Sequence, residues 1–261
     1  MGMLLGSNHT KKILKSGGTA FGTMVTTFRS PAIVPMMASA GWDYIILDNE
    51  HNAFGPETIQ ALALAASYEE MDLLVRIPSI EYHHIAKTLD LGVGGLVIPH
   101  VESSGDAERI VKSSYYYPKG ERGASMASKA SRFPGLKIPD YLEWAAREIL
   151  IAVQIETIRG VENADEILGV DGIDSVMIGP FDLSQSLGCP GEMDNSAVAR
   201  ACREVIRSCR EHGVNSGIHI QSIEDAGLWK SLGMTFITCK TEAGMINRAA
   251  SETVAALRKL D

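Results

Sequence analysis

The tetrapeptide Asp48-Asn49-Glu50-His51 follows directly on the apolar run beginning at Tyr44, and Arg76 stands near the end of another, Leu73–Ile77. A histidine beside two carboxylates is placed to act as a base near neutral pH, because Asp48 and Glu50 can orient the ring and tune its proton affinity. An arginine inside an apolar run is costly unless it faces a polar opening, so Arg76 is expected to meet an anionic ligand. In Gln154-Ile155-Glu156 the spacing of two sends both polar side chains to one side of a strand. With Asp182, beyond the next apolar run, they bring two carboxylates and an amide oxygen together. Hard oxygen ligands in that number leave open octahedral positions, which suits Mg²⁺, Mn²⁺ or Co²⁺ better than zinc. The plainer alternative is that each carboxylate only caps a helix or pairs with an arginine. A divalent metal, a nearby base and a fixed cation suit a 2-oxo acid chelated through its carboxylate and carbonyl, with the metal and Arg76 holding the enolate. His219 lies within a further apolar run, and Lys240 follows the last one. The adjacent His83 and His84 point about 100° apart on a helix and make a poor metal pair.

The elements that would position these residues alternate. Apolar runs over Ala20–Val25, Tyr44–Asp48, Leu73–Ile77, Gly95–Pro99, Leu150–Ile155, Ser175–Gly179, Asn215–Ile220 and Thr235–Cys239 read as parallel strands buried on both faces. Helical segments separate them: Pro31–Ala40, Pro56–Tyr68, Ile80–Leu91, Ser104–Ser114, Arg159–Leu168, Ser196–His212 and Ile223–Leu232. Eight such alternations predict an α/β fold, a single (β/α)8 TIM barrel over residues 1–261, with its chemistry at the C-terminal ends of the strands. An open doubly wound sheet is disfavoured because no GxGxxG joins a strand to a helix; Gly-Val-Gly-Gly at 92–95 precedes a strand instead. About 50 residues separate the fourth and fifth strands, too many for a plain crossover, and predict a lid or an oligomer contact around 115–123. Met245–Leu260 reads as a final amphipathic helix.

Composition sets the surroundings. The 261 residues are 45% hydrophobic and 21% charged. Such a chain buries roughly three quarters of its unfolded surface. The formal net charge of −8 argues against nucleic-acid and anionic-membrane partners, and there is no apolar run long enough to span a bilayer. Cys189, Cys202, Cys209 and Cys239 form no CxxC pair and read as buried thiols in a reducing, cytoplasmic setting. The first residues show no secretory or myristoylation signal.

Taken in order, Asp48-x-Glu50-His51, Arg76, Leu89-Asp90-x-Gly92, Tyr117-Pro118-x-Gly120-x-Arg122-Gly123, Gln154-x-Glu156-Thr157 and Ile178-Gly179-Pro180-x-Asp182-Leu183-Ser184 resemble the HpcH/HpaI family of metal-dependent class II pyruvate aldolases. The resemblance implies a modified barrel with a terminal helix exchanged between subunits of a hexamer built as a trimer of dimers; Met245–Leu260 is the candidate. It implies cleavage of a 4-hydroxy-2-oxo acid to pyruvate and an aldehyde through a metal-stabilised enolate. Glu156 and Asp182 would hold the metal, and Gln154 would contact the oxo acid. The backbone N–H groups of Phe181 and Asp182 would receive its carboxylate, and Arg76 the enolate oxygen. His51, paired with Asp90, would be the base. Two departures bear on the substrate: Phe181 stands where the family often has a small residue, and Cys239-Lys240-Thr241-Glu242 replaces a Gly-Val-Asp-like run. Three other readings compete. Lys240 could form a Schiff base. Lys119, Arg122, Lys129, Arg132 and Lys137 could serve a citrate-lyase-like acyl-CoA lyase. The barrel could also be catalytically idle and merely bind a metabolite.

Overall fold

In the computed structural model, residues 6–125 and 137–260 are described. Eight parallel strands, β1 (Ala20–Val25), β2 (Tyr44–Asp48), β3 (Asp72–Arg76), β4 (Gly95–Ile98), β5 (Leu150–Ile155), β6 (Ser175–Ile178), β7 (Asn215–Ile220) and β8 (Phe236–Thr241), close into a barrel in chain order. All eight expected strands are present, β1, β2, β5 and β7 with the expected bounds and the others differing by a residue or two at their ends. Inside the barrel Tyr44 and Phe236 stack with ring centroids 4.7 Å apart. They pack with Ile46, Leu74, Val97, Leu150, Ala152 and Met177 into a closed apolar plug. Gly22 is required there, since a β-carbon at that position would fall within the Tyr44 ring.

The helices α1 (His9–Lys15), α2 (Ile33–Ser39), α3 (Pro56–Ala66), α4 (Tyr82–Asp90), α5 (Ser104–Ser114), α6 (Ile138–Glu148), α7 (Ile158–Glu162), α8 (Ala164–Leu168), α9 (Pro180–Ser186), α10 (Ser196–His212), α11 (Ile223–Ser231) and α12 (Glu242–Leu257) follow from local chemistry. Ser103, Thr157, Asn195, Ser222 and Thr241 each accept a backbone N–H of the first turn, and Gly213 ends α10 at φ 67. The helix expected over Arg159–Leu168 is two short ones that meet at Asn163. α1 stoppers the end of the barrel away from the strand C-termini: Lys11 Nζ donates to the Ile149 carbonyl at 2.7 Å and to Asp174 Oδ2 at 2.9 Å.

The long connection between β4 and β5 carries α5 and α6. Between them Tyr115 Oη donates to the Gly172 carbonyl at 2.9 Å and Lys119 Nζ lies 3.2 Å from Asp171, both just ahead of β6. This part of the connection therefore lies at the stoppered end and is no lid over the mouth; the remainder, 126–136, lies outside the described residues. From Ile246 to Leu260 every residue of the terminal segment is exposed, including Val254 and Leu257. No described helix is long and apolar enough to cross a membrane.

Candidate active site

Inward-facing positions turn from apolar to polar toward the C-terminal ends of the strands. Along β2 they run Tyr44, Ile46, Asp48, and along β3 Leu74, Arg76; Asp48 and Arg76 are direct partners in the β2–β3 register. That register makes their ion pair: Arg76 Nε donates to Asp48 Oδ1 at 2.9 Å, while Nη1 stands 3.0 Å from Glu50 Oε2. All three side chains are at most 10% exposed. Burial pushes the Asp48 carboxyl up, but the hydrogen bond and charge of Arg76 outweigh it. With Asn52 Nδ2 donating at 2.7 Å and the Glu50 N–H, they hold Asp48 below the usual carboxylate range. The guanidinium is thereby fixed beneath the mouth.

β5 brings Gln154 and Glu156 to the same opening. Glu156 Oε1 accepts the backbone N–H of His100 at 2.9 Å, and Oε2 accepts from Gln154 Nε2. Burial pushes the Glu156 carboxyl up, and neighbouring Glu50 adds to this against the opposing His100 and Gln154 contacts. Gly179 shapes the floor here: a β-carbon on it would lie 2.6 Å from Glu156 Oε2 and 3.0 Å from Gln154 Nε2. His100, two residues beyond β4, is a participant that sequence reasoning missed. Its Nδ1 is 3.1 Å from Glu156 Oε1 and its Nε2 3.2 Å from Glu50 Oε1. Glu50, His100 and Glu156 each turn one ligand atom into a space where all three lie within 4.8 Å of one another.

The other expected residues fall around this centre. His51 is exposed at the rim, its Nε2 3.9 Å from Glu50 Oε2. Phe181 is exposed at the start of α9, and Asp182, in the first turn, accepts from Gln185 Nε2 at 2.9 Å instead of converging with Glu156 and His100. Asp90 is the last residue of α4, which runs away from the mouth, and it accepts from Arg122 Nη2 at 2.5 Å. Within one chain it is thus at the far end from His51. His219 lies inside the barrel, where burial lowers its proton affinity and the Lys240 carbonyl, 3.3 Å from Nε2, opposes the shift. Lys240 adopts φ 60, the left-handed region that the expected glycine would occupy freely. Glu242, fully buried, accepts the backbone N–H groups of Thr26, Thr27 and Phe28 at 3.0, 2.6 and 3.1 Å, tying down the loop after β1.

Of the basic residues that could track a nucleotide, Arg122 is buried over the Tyr116 ring and Lys119 faces Asp171. Lys129 and Arg132 lie outside the described residues. A cavity of about 680 Å³ between α3, α4 and α6, lined by Leu64, Tyr68, Leu91, Tyr141 and Trp144, opens near α1, away from the carboxylates.

A closed parallel barrel with a buried arginine clamp and a carboxylate–imidazole cluster at its strand ends defines a barrel enzyme. Its lineage is equally plain: the chain belongs to the HpcH/HpaI aldolase/citrate lyase family, whose model matches residues 24–242. It is 33% identical over 258 residues to the hydroxypyruvate/pyruvate aldolase of Roseovarius nubinhibens, covering 98% of each chain. It is 32% identical over 230 residues to the 5-keto-4-deoxy-D-glucarate aldolase of Enterobacter sp. (strain 638), covering 88% of this chain and 89% of the relative. The crystal structure of the HpcH/HpaI aldolase from Desulfitobacterium hafniense DCB-2 superposes with a TM-score of 0.92 at 31% identity, covering 96% of this chain and 97% of that one.

Proposed function

We propose that the protein is a divalent-metal-dependent carbon–carbon lyase that cleaves a 4-hydroxy-2-oxo acid to pyruvate, or a close analogue, and an aldehyde. The observation that carries this reading is the arginine clamp beside Glu156. Arg76 is immobilised by Asp48 and Glu50 at the depth where the oxygen of an oxo acid would develop negative charge. Relatives named as aldolases on hydroxypyruvate or pyruvate and on a ketodeoxy sugar acid support the same chemistry.

The residues present fit a cation. Gln154 Oε1 is buried with no hydrogen-bond partner among the described residues, and the Gly179 cradle leaves room at Glu156 Oε2 that a β-carbon would fill. Glu156 would hold the ion, with Asp182 after its side chain turns from Gln185. A bound divalent ion supplies Lewis-acid polarisation of the oxo group. Gln154 then contacts the oxo acid, and the N–H groups of Phe181 and Asp182, at the start of α9, receive its carboxylate. Arg76 neutralises charge on the enolate oxygen. His51, exposed at the rim and near Glu50, takes the proton from the C4 hydroxyl as the carbon–carbon bond breaks. An Asp90 partner for that histidine would have to come from another protomer. The exposed α12 supports a homo-oligomer with exchanged terminal helices, a hexamer in the scheme that the resemblance implies, in the cytoplasm.

The test is proton–deuterium exchange at the methyl group of pyruvate, followed by NMR in D₂O. Exchange that requires added Mg²⁺, Mn²⁺ or Co²⁺ supports the proposal. Absence of exchange with every metal, on folded protein, overturns it in favour of acyl-linked or non-catalytic roles.

A further inference from the structure

His219 is a half-buried imidazole that the reaction outlined above does not use. It stands on β7 in register with Thr238 of β8, and Thr238 turns into the barrel, where its hydroxyl bonds Tyr44 Oη at 2.9 Å. Register partners on neighbouring strands share a face, so the His219 ring turns inward as well. There the charges of Arg76 and Asp48 both act on it.

An irregularity in β8 fixes the ring. Gly22 pairs with Thr238 but Met24 with Thr241, so β8 carries one extra residue opposite β1, and within that bulge Lys240 adopts φ 60. Such strain persists where surrounding contacts over-determine the backbone. Here those contacts are two donors on the Lys240 carbonyl, Thr23 Oγ1 at 3.4 Å and His219 Nε2 at 3.3 Å. A carbonyl only accepts, so Nε2 carries the ring proton. Burial lowers the proton affinity of the ring; the Lys240 carbonyl opposes this, Arg76 adds to it and Asp48 opposes it, which leaves the imidazole neutral near pH 7. Nδ1 is then a bare lone pair, and it has no hydrogen-bond partner among the described residues.

We propose that His219 is a specificity-determining residue whose Nδ1 accepts a hydrogen bond from a hydroxyl on C3 of the oxo acid, so that this chain prefers 3,4-dihydroxy-2-oxo acids and releases a C3-hydroxylated product ahead of pyruvate. The inference rests on the lyase reading above and narrows its substrate. In that reading Gln154 and Glu156 on β5 face the oxygens of C1 and C2, α9 receives the carboxylate and Arg76 the C2 oxygen. C3 is then the part of the molecule turned away from β5, across the barrel toward β7 and β8. A methyl group there takes water from the Nδ1 lone pair and returns nothing, whereas a hydroxyl supplies the donor it lacks. A carbonyl or carboxylate oxygen is disfavoured at that point, because two acceptors would meet.

Pyruvate and hydroxypyruvate differ by that single hydroxyl and serve as the probes. Calorimetry on the full chain with Mg²⁺ is expected to show hydroxypyruvate binding at least about fivefold more tightly than pyruvate. In ¹⁵N NMR of histidine-labelled protein, Nδ1 of His219 should be unprotonated in the free chain and shift toward the hydrogen-bonded position with hydroxypyruvate but not with pyruvate. His219→Leu should bring the two affinities together, and His219→Phe gives the same result should the leucine variant not fold. His219→Gln, which keeps a donor for the Lys240 carbonyl and an acceptor toward the mouth, should restore the preference. Equal affinities in the intact chain, a protonated Nδ1, or a preference that survives His219→Leu overturns the role of His219, and metal-dependent exchange at pyruvate would still leave the lyase reading standing. Failure of both acids to bind or exchange with every metal overturns both.

Discussion

Replacing Asp48 by asparagine tests whether Arg76 is held as described. The pair is buried, Arg76 Nε lies 2.9 Å from Asp48 Oδ1, and the two side chains are 10% and 3% exposed. Removing one partner of such a pair strands a charge, at a cost of about 3–5 kcal/mol. Glu50, 3.0 Å from Nη1, keeps part of the neutralisation, so the lower end, about 3 kcal/mol, is expected. For a chain of this size that corresponds to a Tm lower by about 6–12 °C. The sign with pH is also set. Because Asp48 is held below the ordinary carboxylate range when folded, its contribution is present above the unfolded pKa and is lost as pH falls through the folded one. The variant and the parent should therefore converge in strongly acidic buffer. Urea unfolding at pH 7 and at acidic pH, run beside Asp48→Asn/Arg76→Met, measures both effects. The double variant should recover stability relative to Asp48→Asn, since no guanidinium is left unpaired. A loss below about 1 kcal/mol, or a double variant no better than the single, would refute the clamp.

Further expectations concern neighbouring groups. Glu156→Gln should abolish metal-dependent exchange at pyruvate yet raise the Tm of metal-free protein at neutral pH, because burial makes the ionised carboxylate costly there; the gain should vanish in acid, where the parent carboxyl is protonated. Lys240→Gly should stabilise by about 1 kcal/mol by relieving the left-handed backbone, and borohydride with a 2-oxo acid should trap no adduct on the parent enzyme; trapping at Lys240 would instead favour a Schiff-base route. Removing residues 244–261 should lower the oligomeric mass in sedimentation while the barrel stays folded; an unchanged mass would show that α12 does not hold subunits together.

The strands were legible because parallel strands covered on both faces need near-continuous apolar residues, as Tyr44–Leu47 and Leu150–Val153 show. Arg76 and Glu156 were legible for the converse reason: a charge in or just after such a run has a place only at the mouth. α1, α6 and α9 were not expected. α6 lies inside the long connection, and α9 is one short helix whose Gly-Pro-Phe-Asp residues read as a site before they read as an element. His100 escaped because its ring direction depends on a left-handed turn that no periodicity announces; the one signal available was its place directly after Pro99 at a strand end. Asp182 shows what spacing leaves open. Spacing brings it to the right end of the barrel, but its rotamer is decided by Gln185, one helical turn away.

Glu242 is both the first residue of the exposed terminal helix and the buried acceptor for the chain at Thr26–Phe28. A single carboxylate therefore anchors two things at once: the root of the arm that reaches away from the barrel and the rim segment beside the catalytic opening. Any displacement of that helix is transmitted through one side chain to three consecutive amides at the entrance. The terminal helix and the entrance thus share one fastening point, so that neither can be displaced without disturbing the hydrogen bonds that hold the other.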